Sequence, residues 1–453
     1  MDDMGNTYPM KLLENARELH RSDQQDLAIS AYRQYLALQP ENAGAWADLG
    51  DLLLMTGSLE EGCDACDRAL NLDPRNMQAR LALAEGLVKK MDLQGATEVL
   101  AEALRQAPDN LSLRKALELV FFHPRNKLDH NAEFKRHFGI EPSEEDVLNL
   151  ACRNLLLGDM PLGWDQFELR WDISLFENRP KEIMLAEPQW NGESLVGKTL
   201  LLRWEQGMGD VIMFGRYASL VKARGGRVLL EVTEPLMDLM ATCPGIDEVI
   251  KHEDPIPPFD FQLPLLSLPR IFRTDLDSIP ADIPYLSVPD RVPHREGIDR
   301  ILAATEGHTR VGLVWAGNPR HIRDAERSIP PSMLKPLEAL PVAWHSFQVG
   351  SGSQMPFSRI IPMGPVIRGS FADTAYALSA MDLVITVDTS IVHLAGALGL
   401  PAFVLVTAFP DWRWRMDRDD SPWYPTLRIY RQPEAGDWAS VIERVVADLS
   451  ACG

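Results

Sequence analysis

Apolar residues recur at helical spacing through the first third of the chain, and prolines interrupt this pattern at a fixed interval. Prolines stand at positions 40, 74, 108 and 142, each 34 residues after the one before. Because proline breaks the interior of a helix, each marks the end of one helical pair and the start of the next. The pattern predicts stacked helical hairpins over residues 1–172.

The helical pairs have the 34-residue period of tetratricopeptide repeats. The clearest unit runs from Ala43 to Asn76, with Trp46 and Gly50 on its first helix and Ala69 on its second, where small residues let the paired helices approach closely. Such arrays form curved solenoids that often bind extended peptides. A protein or peptide partner is therefore expected, while a rigid spacer or a dimerisation element explains the repeats equally well.

Short apolar runs alternate with amphipathic helices after residue 198, which predicts parallel sheets covered by helices. The pattern restarts near residue 307. We therefore predict an α + α/β fold: helical repeats over 1–172, a linker over 173–197, and Rossmann-like domains over 198–306 and 307–453. The predicted strands are Thr199–Trp204, Arg227–Val232, Phe261–Leu265, Val311–Ala316, Ala343–Val349, Leu383–Val387, Ala402–Thr407 and Leu427–Tyr430.

Charge and composition exclude several classes of function. The chain has 45 basic and 65 acidic side chains, a net charge of −20, which disfavours nucleic-acid or anionic-membrane binding. Residues 389–410 contain no Asp, Glu, Lys or Arg, but Gly399 and Pro401 there predict a helix end and a new strand rather than a transmembrane segment. The start is unlike a signal peptide. Five cysteines make no disulfide framework, so a reducing, cytoplasmic location is expected.

A glycine-rich turn follows the first predicted strand. Gly207 and Gly209 permit a tight turn and close approach of a ligand to backbone N–H groups. Asp210 comes next, at the predicted start of a helix, where a carboxylate commonly caps the backbone. The alternative is a base that takes a proton from an acceptor hydroxyl. The local pattern alone favours the cap.

A second loop is rich in arginine. Gly317 and Asn318 follow the predicted strand at 311–316, and Arg327 is one of four arginines between positions 310 and 327. Guanidinium groups suit phosphate oxygens. The alternative is a solvated loop in which these arginines pair with Asp324 and Glu326.

A third motif follows the predicted strand Leu383–Val387, which runs into Asp388, Thr389 and Ser390, where a helix begins. The free N–H groups at a helix start attract anions, including a diphosphate. His393 lies four residues after Thr389, so it shares a face with it and can donate to a phosphate or leaving oxygen. The alternative is a capped helix with one satisfied histidine.

An aromatic loop, residues 408–425, follows the strand at 402–407 and contains Trp412, Trp414, Trp423 and Tyr424. Such side chains stack on a base or sugar, or they seal a surface between domains. Both interpretations stay open, and Trp412 is the candidate for contact with a donor.

Taken in order, these motifs resemble the family-9 type glycosyltransferases, the heptosyltransferase-like group, in their tetratricopeptide-fused form. The segments that carry the resemblance are EQGMGDVIMFGRY from 205, VGLVWAGNP from 311 with ERSIP after it, FADTAYALSAMDLVITVDTSIVHLAGALG from 371 and DWRWRMDRDDSPWYPTLRIYRQ from 411. The resemblance implies the GT-B architecture, with an acceptor-side first domain and a nucleotide-sugar-binding second domain. It also implies inverting transfer without a metal ion or other cofactor.

The resemblance assigns roles to individual residues. Asp210 matches the carboxylate taken as the general base, so the base is now favoured over the cap. Arg327 stands where heptosyltransferases usually have a lysine and is expected to stabilise the donor phosphates. The D-T-x-x-x-H donor motif is matched by Asp388, Thr389, Ser390 and His393.

We therefore expect a cytoplasmic bacterial glycosyltransferase that uses a nucleotide-sugar donor. Its layout of repeats plus transferase is similar to that of the O-linked N-acetylglucosamine transferases and flagellin glycosyltransferases, which modify proteins. A non-catalytic scaffold that keeps the fold and binds partners through the repeats is the alternative.

Overall fold

The computed structural model describes residues 7–451 except positions 23, 124, 127, 140, 172–186, 322, 351–353 and 368. The chain divides into two compact units, Met1–Leu150 and Ala151–Gly453. Most of the predicted linker over 173–197 lies outside the described residues. Its bounds, and the other predicted domain bounds, remain predictions.

Paired helices make up the N-terminal part of the chain, as the proline spacing predicts. Their bounds are Thr7–Arg21 (α1), Gln25–Leu38 (α2), Ala43–Met55 (α3), Leu59–Leu72 (α4), Met77–Lys89 (α5), Leu93–Gln106 (α6), Leu111–Phe121 (α7), His130–Phe138 (α8), Glu144–Leu157 (α9) and Met160–Phe167 (α10). A short 3-10 turn, Glu168–Trp171, follows α10.

An asparagine caps the first helix of three successive pairs. The side-chain oxygens of Asn42 and Asn76 accept a hydrogen bond from the backbone N–H three residues later, at 3.0 Å. Asn110 accepts from Leu113 N–H at 3.1 Å. A side-chain oxygen at this position satisfies an N–H that the helix leaves without a partner. Proline ends one pair and asparagine starts the next, so the two together set the repeat length.

Small residues allow the two helices of a hairpin to touch. A Cβ atom on Gly50 of α3 would lie 2.5 Å from the Cys66 sulfur of α4. Cys66 is fully buried there, so its thiol serves as a small apolar packing group.

Parallel strands in the second unit form two separate sheets. The first has the order β3-β2-β1-β4 and the second the order β10-β9-β8-β5-β6-β7, and the pairings within each are parallel. Two sheets confirm the predicted pair of Rossmann-like halves. The strand bounds are Thr199–Arg203 (β1), Arg227–Val232 (β2), Glu248–Lys251 (β3), Phe261–Pro264 (β4), Arg310–Val314 (β5), Ala343–Ser346 (β6), Ile361–Pro362 (β7), Leu383–Val387 (β8), Ala402–Val406 (β9) and Leu427–Arg431 (β10).

Helices cover these sheets. Their bounds are Met208–Gly215 (α11), Ala218–Lys222 (α12), Met237–Met240 (α13), Leu268–Ile271 (α14), Arg295–Ala303 (α15), Asp324–Arg327 (α16), Phe371–Leu378 (α17), Ser390–Ala397 (α18) and Trp438–Ala451 (α19). The core of the second sheet is built from buried aliphatic and tryptophan side chains of β5, β8 and α19.

Residues 389–410 form helix α18, a turn and strand β9, as Gly399 and Pro401 predict. Gly399 has a φ of +71° in this turn, a conformation that glycine adopts without a steric penalty. Within the described ranges, no helix combines the length and apolar character that a membrane crossing requires.

Candidate functional site

The predicted motifs collect at the carboxyl ends of both sheets. In the second sheet the chain runs from β5 through β6 to β7 on one side, and from β8 through β9 to β10 on the other. The loops after β5 and β8 therefore diverge and leave a crevice, which is where open parallel sheets bind ligands. Gly317 follows β5 and Asp388 follows β8, so both loops border this crevice.

Helix α18 begins at the crevice. Thr389 caps it, because its hydroxyl oxygen accepts a hydrogen bond from Ile391 N–H at 3.3 Å. Ser390 is the first helical residue and is half-buried. The remaining N–H groups of the first turn present partial positive charge to the crevice.

Arg327 lies beside the end of β8. Its Nη1 donates to the Asp388 carbonyl oxygen at 3.1 Å, and its Nε donates to the Asp324 carboxylate at 3.1 Å. A Cβ atom on Gly317 would lie 2.4 Å from Arg327 Nη2, so a side chain there would displace the guanidinium from this position. The structure thus brings Gly317, Arg327 and Asp388 together. The pairing with Asp324 is the contact that the alternative interpretation predicted.

Asn318 is exposed. Its side-chain oxygen accepts a hydrogen bond from Arg320 N–H at 3.1 Å, so this side chain closes its own turn. Its role in donor binding remains a prediction.

Asp210 lies in the first turn of α11, at the carboxyl end of β1. One carboxylate oxygen accepts from Gly207 N–H at 2.9 Å, which is the capping contact. The other oxygen accepts from Arg413 Nη2. Burial raises the pKa of the Asp210 carboxyl, while Arg413 and the Gly207 N–H oppose that rise. Asp210 therefore caps α11 and also offers a carboxylate to the crevice. Each of its oxygens keeps a lone pair for a further contact.

Arg413 is the principal site residue that the sequence analysis missed. It is buried, and its guanidinium joins Asp210 to Asp411, where Nη1 donates to the carboxylate at 2.7 Å. Asp411 lies two residues from Arg413, so the sequence alone could suggest that pair. Asp210 lies 203 residues from Arg413, and only folding brings the two together.

The two helices that leave β1 and β8 meet at their starts. A Cβ atom on Gly209 would lie 2.9 Å from His393 Cδ2 and 3.4 Å from Ser390 Cα. Glycine at this position lets α11 and α18 touch. Asp210 and the start of α18 consequently face the same space.

His393 is buried and stacks on Trp414, with 5.7 Å between ring centroids. Its Nδ1 lies 3.1 Å from the Tyr424 hydroxyl. Burial, together with the nearby charges of Arg413 and Arg216, holds the pKa of His393 well below its usual value. The imidazole is therefore neutral at physiological pH.

Asp388 has an unusual titration. Burial first, and then the negative charge of Asp411, raises the pKa of its carboxyl to about 6. A diphosphate beside this carboxylate would raise the pKa further, by repulsion between like charges.

Trp412 is buried in a cluster of aromatic rings. Its ring makes an edge contact with Trp164 at 5.2 Å and another with Trp423 at 6.1 Å. The Arg413 guanidinium carbon lies 4.1 Å from its centroid. These contacts match the packing interpretation of the aromatic loop, and a sugar or base would have to displace one of them to stack on Trp412.

Comparison with known proteins gives matches to both parts of the chain. Residues 6–132 match the family model of the cytochrome c-type biogenesis protein H TPR domain, so the predicted tetratricopeptide repeats are confirmed. Protein FlbA of Caulobacter vibrioides is 25% identical over 463 residues, covering 96% of this chain and 71% of that protein. The solved structure of a glycosyl transferase family 9 protein from Veillonella parvula is similar with 12% identity and a TM-score of 0.44, covering 58% of this chain and 99% of that one. The Arabidopsis OM64 TPR domain has 18% identity and a TM-score of 0.25, covering 26% and 97%.

Proposed function

We propose that this protein transfers a sugar from a nucleotide-activated donor to a hydroxyl group of an acceptor. The observation that carries the proposal is the contact between the starts of α11 and α18 through Gly209 and His393. This contact puts a carboxylate from the first sheet, Asp210, opposite an anion-attracting helix start from the second. Those are the two parts that glycosyl transfer to a hydroxyl requires.

On the donor side, the helix start at Thr389 and Ser390 and the guanidinium of Arg327 receive the diphosphate. Departure of the nucleoside diphosphate leaves negative charge on oxygen, and preorganised N–H groups and cations stabilise that charge. We propose that these groups stabilise the leaving diphosphate without the help of a metal ion. Asp388, whose charge disfavours contact with phosphate, binds sugar hydroxyls.

On the acceptor side, Asp210 takes the proton of the attacking hydroxyl. The hydroxyl oxygen forms a bond to the anomeric carbon on the face opposite the leaving group, and the bond from that carbon to the phosphate oxygen breaks. The configuration inverts, and the proton ends on Asp210. Burial of Asp210 supports this role because a raised pKa makes a carboxylate a better proton acceptor.

We propose that the acceptor is a protein or peptide that the N-terminal repeats recognise. The match of residues 6–132 to a tetratricopeptide model supports this, because such solenoids commonly bind extended chains.

A non-catalytic scaffold is the second candidate. It is favoured by the two hydrogen bonds that already occupy Asp210, one from Gly207 N–H and one from Arg413. A carboxylate used only to cap a helix and pair with arginine would make the same contacts.

A screen of nucleotide sugars separates the two candidates. The full-length protein is incubated with each nucleotide sugar, and both thermal stabilisation and release of the nucleoside diphosphate are measured. The enzyme proposal requires one donor that stabilises the protein and is slowly hydrolysed. A scaffold would show neither response with any donor.

A further inference from the structure

The buried histidine of the crevice has a partner whose effect on it follows from hydrogen-bond chemistry. His393 Nδ1 lies 3.1 Å from the hydroxyl of Tyr424, which is itself fully buried. A neutral imidazole carries one N–H, and the nitrogen that carries it is decided by the partner of the other nitrogen. Tyr424 therefore affects which nitrogen of His393 carries the proton.

The Tyr424 phenol and the His393 imidazole are both neutral, and each carries one proton that it can donate. Burial raises the pKa of Tyr424 well above its usual value, so the phenol keeps its proton. His393, with its lowered pKa, carries a single N–H. Either the phenol donates to Nδ1, or Nδ1–H donates to the phenol oxygen, and only one arrangement can hold at a time.

The surroundings of Tyr424 favour donation by the phenol. The guanidinium carbon of Arg216 lies 4.4 Å from the Tyr424 ring centroid, and a guanidinium offers donors only. Tyr285, which also lies beside Arg216, accepts from Arg216 at 3.2 Å and donates its own proton to the Ile212 carbonyl at 2.9 Å. The positive charge of Arg216 over the ring makes the phenol O–H a stronger hydrogen-bond donor, so the Nδ1 lone pair receives the phenol proton.

We infer that Tyr424 donates to His393 Nδ1 and so holds His393 as the tautomer with its proton on Nε2. Tyr424 is thus a positioning residue of the crevice. The Nε2 atom lies on the side of the ring that faces α11, 3.6 Å from the Cβ position of Gly209. His393 accordingly presents a donor, never an acceptor, to whatever occupies this space.

The consequence for catalysis rests on the proposed function. With its proton fixed on Nε2, His393 can donate a hydrogen bond to an oxygen of the substrate. That oxygen is a phosphate oxygen of the nucleotide sugar or the leaving oxygen. Asp210 is then left as the group that accepts the proton of the attacking hydroxyl. In many enzymes, differences between the surroundings of two neighbouring groups decide which one donates a proton and which one accepts it.

The tautomer can be measured directly. In the full-length protein labelled with ¹⁵N-histidine, long-range ¹H–¹⁵N spectra separate the two tautomers, and His393→Gln identifies the His393 signals by their loss. We expect the Nε2–H pattern for the parent protein. A parent spectrum with the proton on Nδ1 overturns the inference, whatever any variant does.

The Tyr424→Phe variant tests the cause. It removes only the hydroxyl, and we expect the single-tautomer pattern of His393 to be lost. Tyr430→Phe is the matched control, because Tyr430 is also buried and donates to Asp448 at 2.6 Å, without contact to His393. An unchanged His393 pattern in Tyr424→Phe, or an equal change in Tyr430→Phe, contradicts the inference.

A kinetic readout separates this inference from the proposed function. With an identified donor, Tyr424→Phe should lower turnover about tenfold or more while the donor affinity changes little, since a wrong histidine tautomer is costly to catalysis. A tautomer change with no turnover by the parent protein on any donor would count against the proposed function alone. Turnover equal to the parent despite a changed tautomer would contradict the positioning role.

Discussion

Arg327 is held in place by the protein itself, at the position where we propose that it receives the donor diphosphate. Its guanidinium bonds the Asp388 carbonyl and the Asp324 carboxylate, and its side chain is mostly buried over Gly317. These contacts fix the fork at the end of β8. Lysine, which the resemblance would place here, has a single charged nitrogen and cannot make both contacts in one plane.

Substitution Arg327→Ala should weaken binding of the nucleotide-sugar donor by about 1.5–3 kcal/mol, the range for a hydrogen bond to a charged group. Isothermal titration calorimetry with the identified donor measures this. Arg323→Ala is the matched control, because Arg323 lies in the same loop and pairs with Glu326 and the Phe409 carbonyl. Equal losses in the two variants would mean that only net charge matters.

The raised pKa of Asp388 predicts how the stability of the protein depends on pH. Its folded pKa of about 6 exceeds the ordinary value of 3.8, so between about pH 4 and pH 6 the folded state holds a proton that the unfolded chain has released. Stability from this group is therefore present at low pH and is lost as the pH rises through 6. Asp388→Asn, which is always neutral, should melt higher than the parent at pH 7.5.

The gain in Asp388→Asn amounts to at most about 3 kcal/mol for two pKa units, and it should shrink as the pH falls toward 4. Differential scanning calorimetry at several pH values checks this. A variant that melts below the parent at pH 7.5 would mean that the ionised carboxylate stabilises the fold.

Single residues were predictable where their chemistry is local. The start of α18 at Thr389 and Ser390 follows from residue type and spacing, whereas α11 begins two residues before Asp210, where the sequence predicted its start. The Arg413 contact to Asp210 depends on a residue 203 positions away, and the burial of Trp412 depends on Trp164, so no local pattern indicates either.

At the scale of elements, the crevice depends on how closely α11 and α18 approach. Gly209 is the second residue of α11, and its missing side chain leaves the space that the His393 ring fills. Because the ring is stacked on Trp414 and bonded to Tyr424, it cannot move aside cheaply.

Substitution Gly209→Ala should destabilise the protein by about 1–3 kcal/mol, the cost of inserting a methyl group into a packed site. It should also lower turnover, because the helix starts are forced apart. Gly44→Ala is the control: Gly44 is the second residue of α3, and a Cβ there meets its nearest atom at 3.5 Å. Thermal melting of both variants measures this difference, and equal effects would show that the close approach is unimportant.

Most strands were predicted well, including the edge strands β4 and β10 to within one residue, but two short edge strands were not. The predictions for β2 and β8 match the structure at both ends, whereas β3 and β7 were missed. The missed strands have four and two residues, lie at sheet edges and are only partly buried. They lack the continuous apolar run that marks a strand covered on both faces.

At the scale of the whole molecule, the last helical segment belongs with the sheets of the second unit. Arg170 follows α10 and is fully buried, where its guanidinium pairs with Glu205 at 2.8 Å and bonds Ser267 at 2.9 Å. Glu205 lies in the loop that leads to the glycine-rich turn. The end of the predicted repeat region therefore contacts the loop that precedes Asp210.

Two fragments test this assignment. Fragment 144–453 keeps α9, α10 and Arg170, and should give a soluble protein with one cooperative thermal transition. Fragment 173–453 begins after the predicted repeat boundary and leaves Glu205 without its buried cation, which is costly. We expect it to melt several degrees lower or to aggregate. Equal melting temperatures would show that α10 and Arg170 are dispensable.

The proposed role of Asp210 as the acceptor of the hydroxyl proton is tested by Asp210→Asn. Asparagine keeps the shape of the side chain and much of its capping ability, so folding and donor affinity should be retained. Asp92→Asn is the control, because Asp92 caps α6 by accepting from Gly95 N–H at 2.9 Å and should leave turnover unchanged.

The decisive measurement is the turnover number of Asp210→Asn with the identified donor and acceptor at saturation. A positioned general base contributes about 10²–10⁴-fold in rate, so we expect a loss of at least about a hundredfold with donor binding intact. Turnover within a few-fold of the parent would contradict it and would leave Asp210 as a helix cap paired with Arg413.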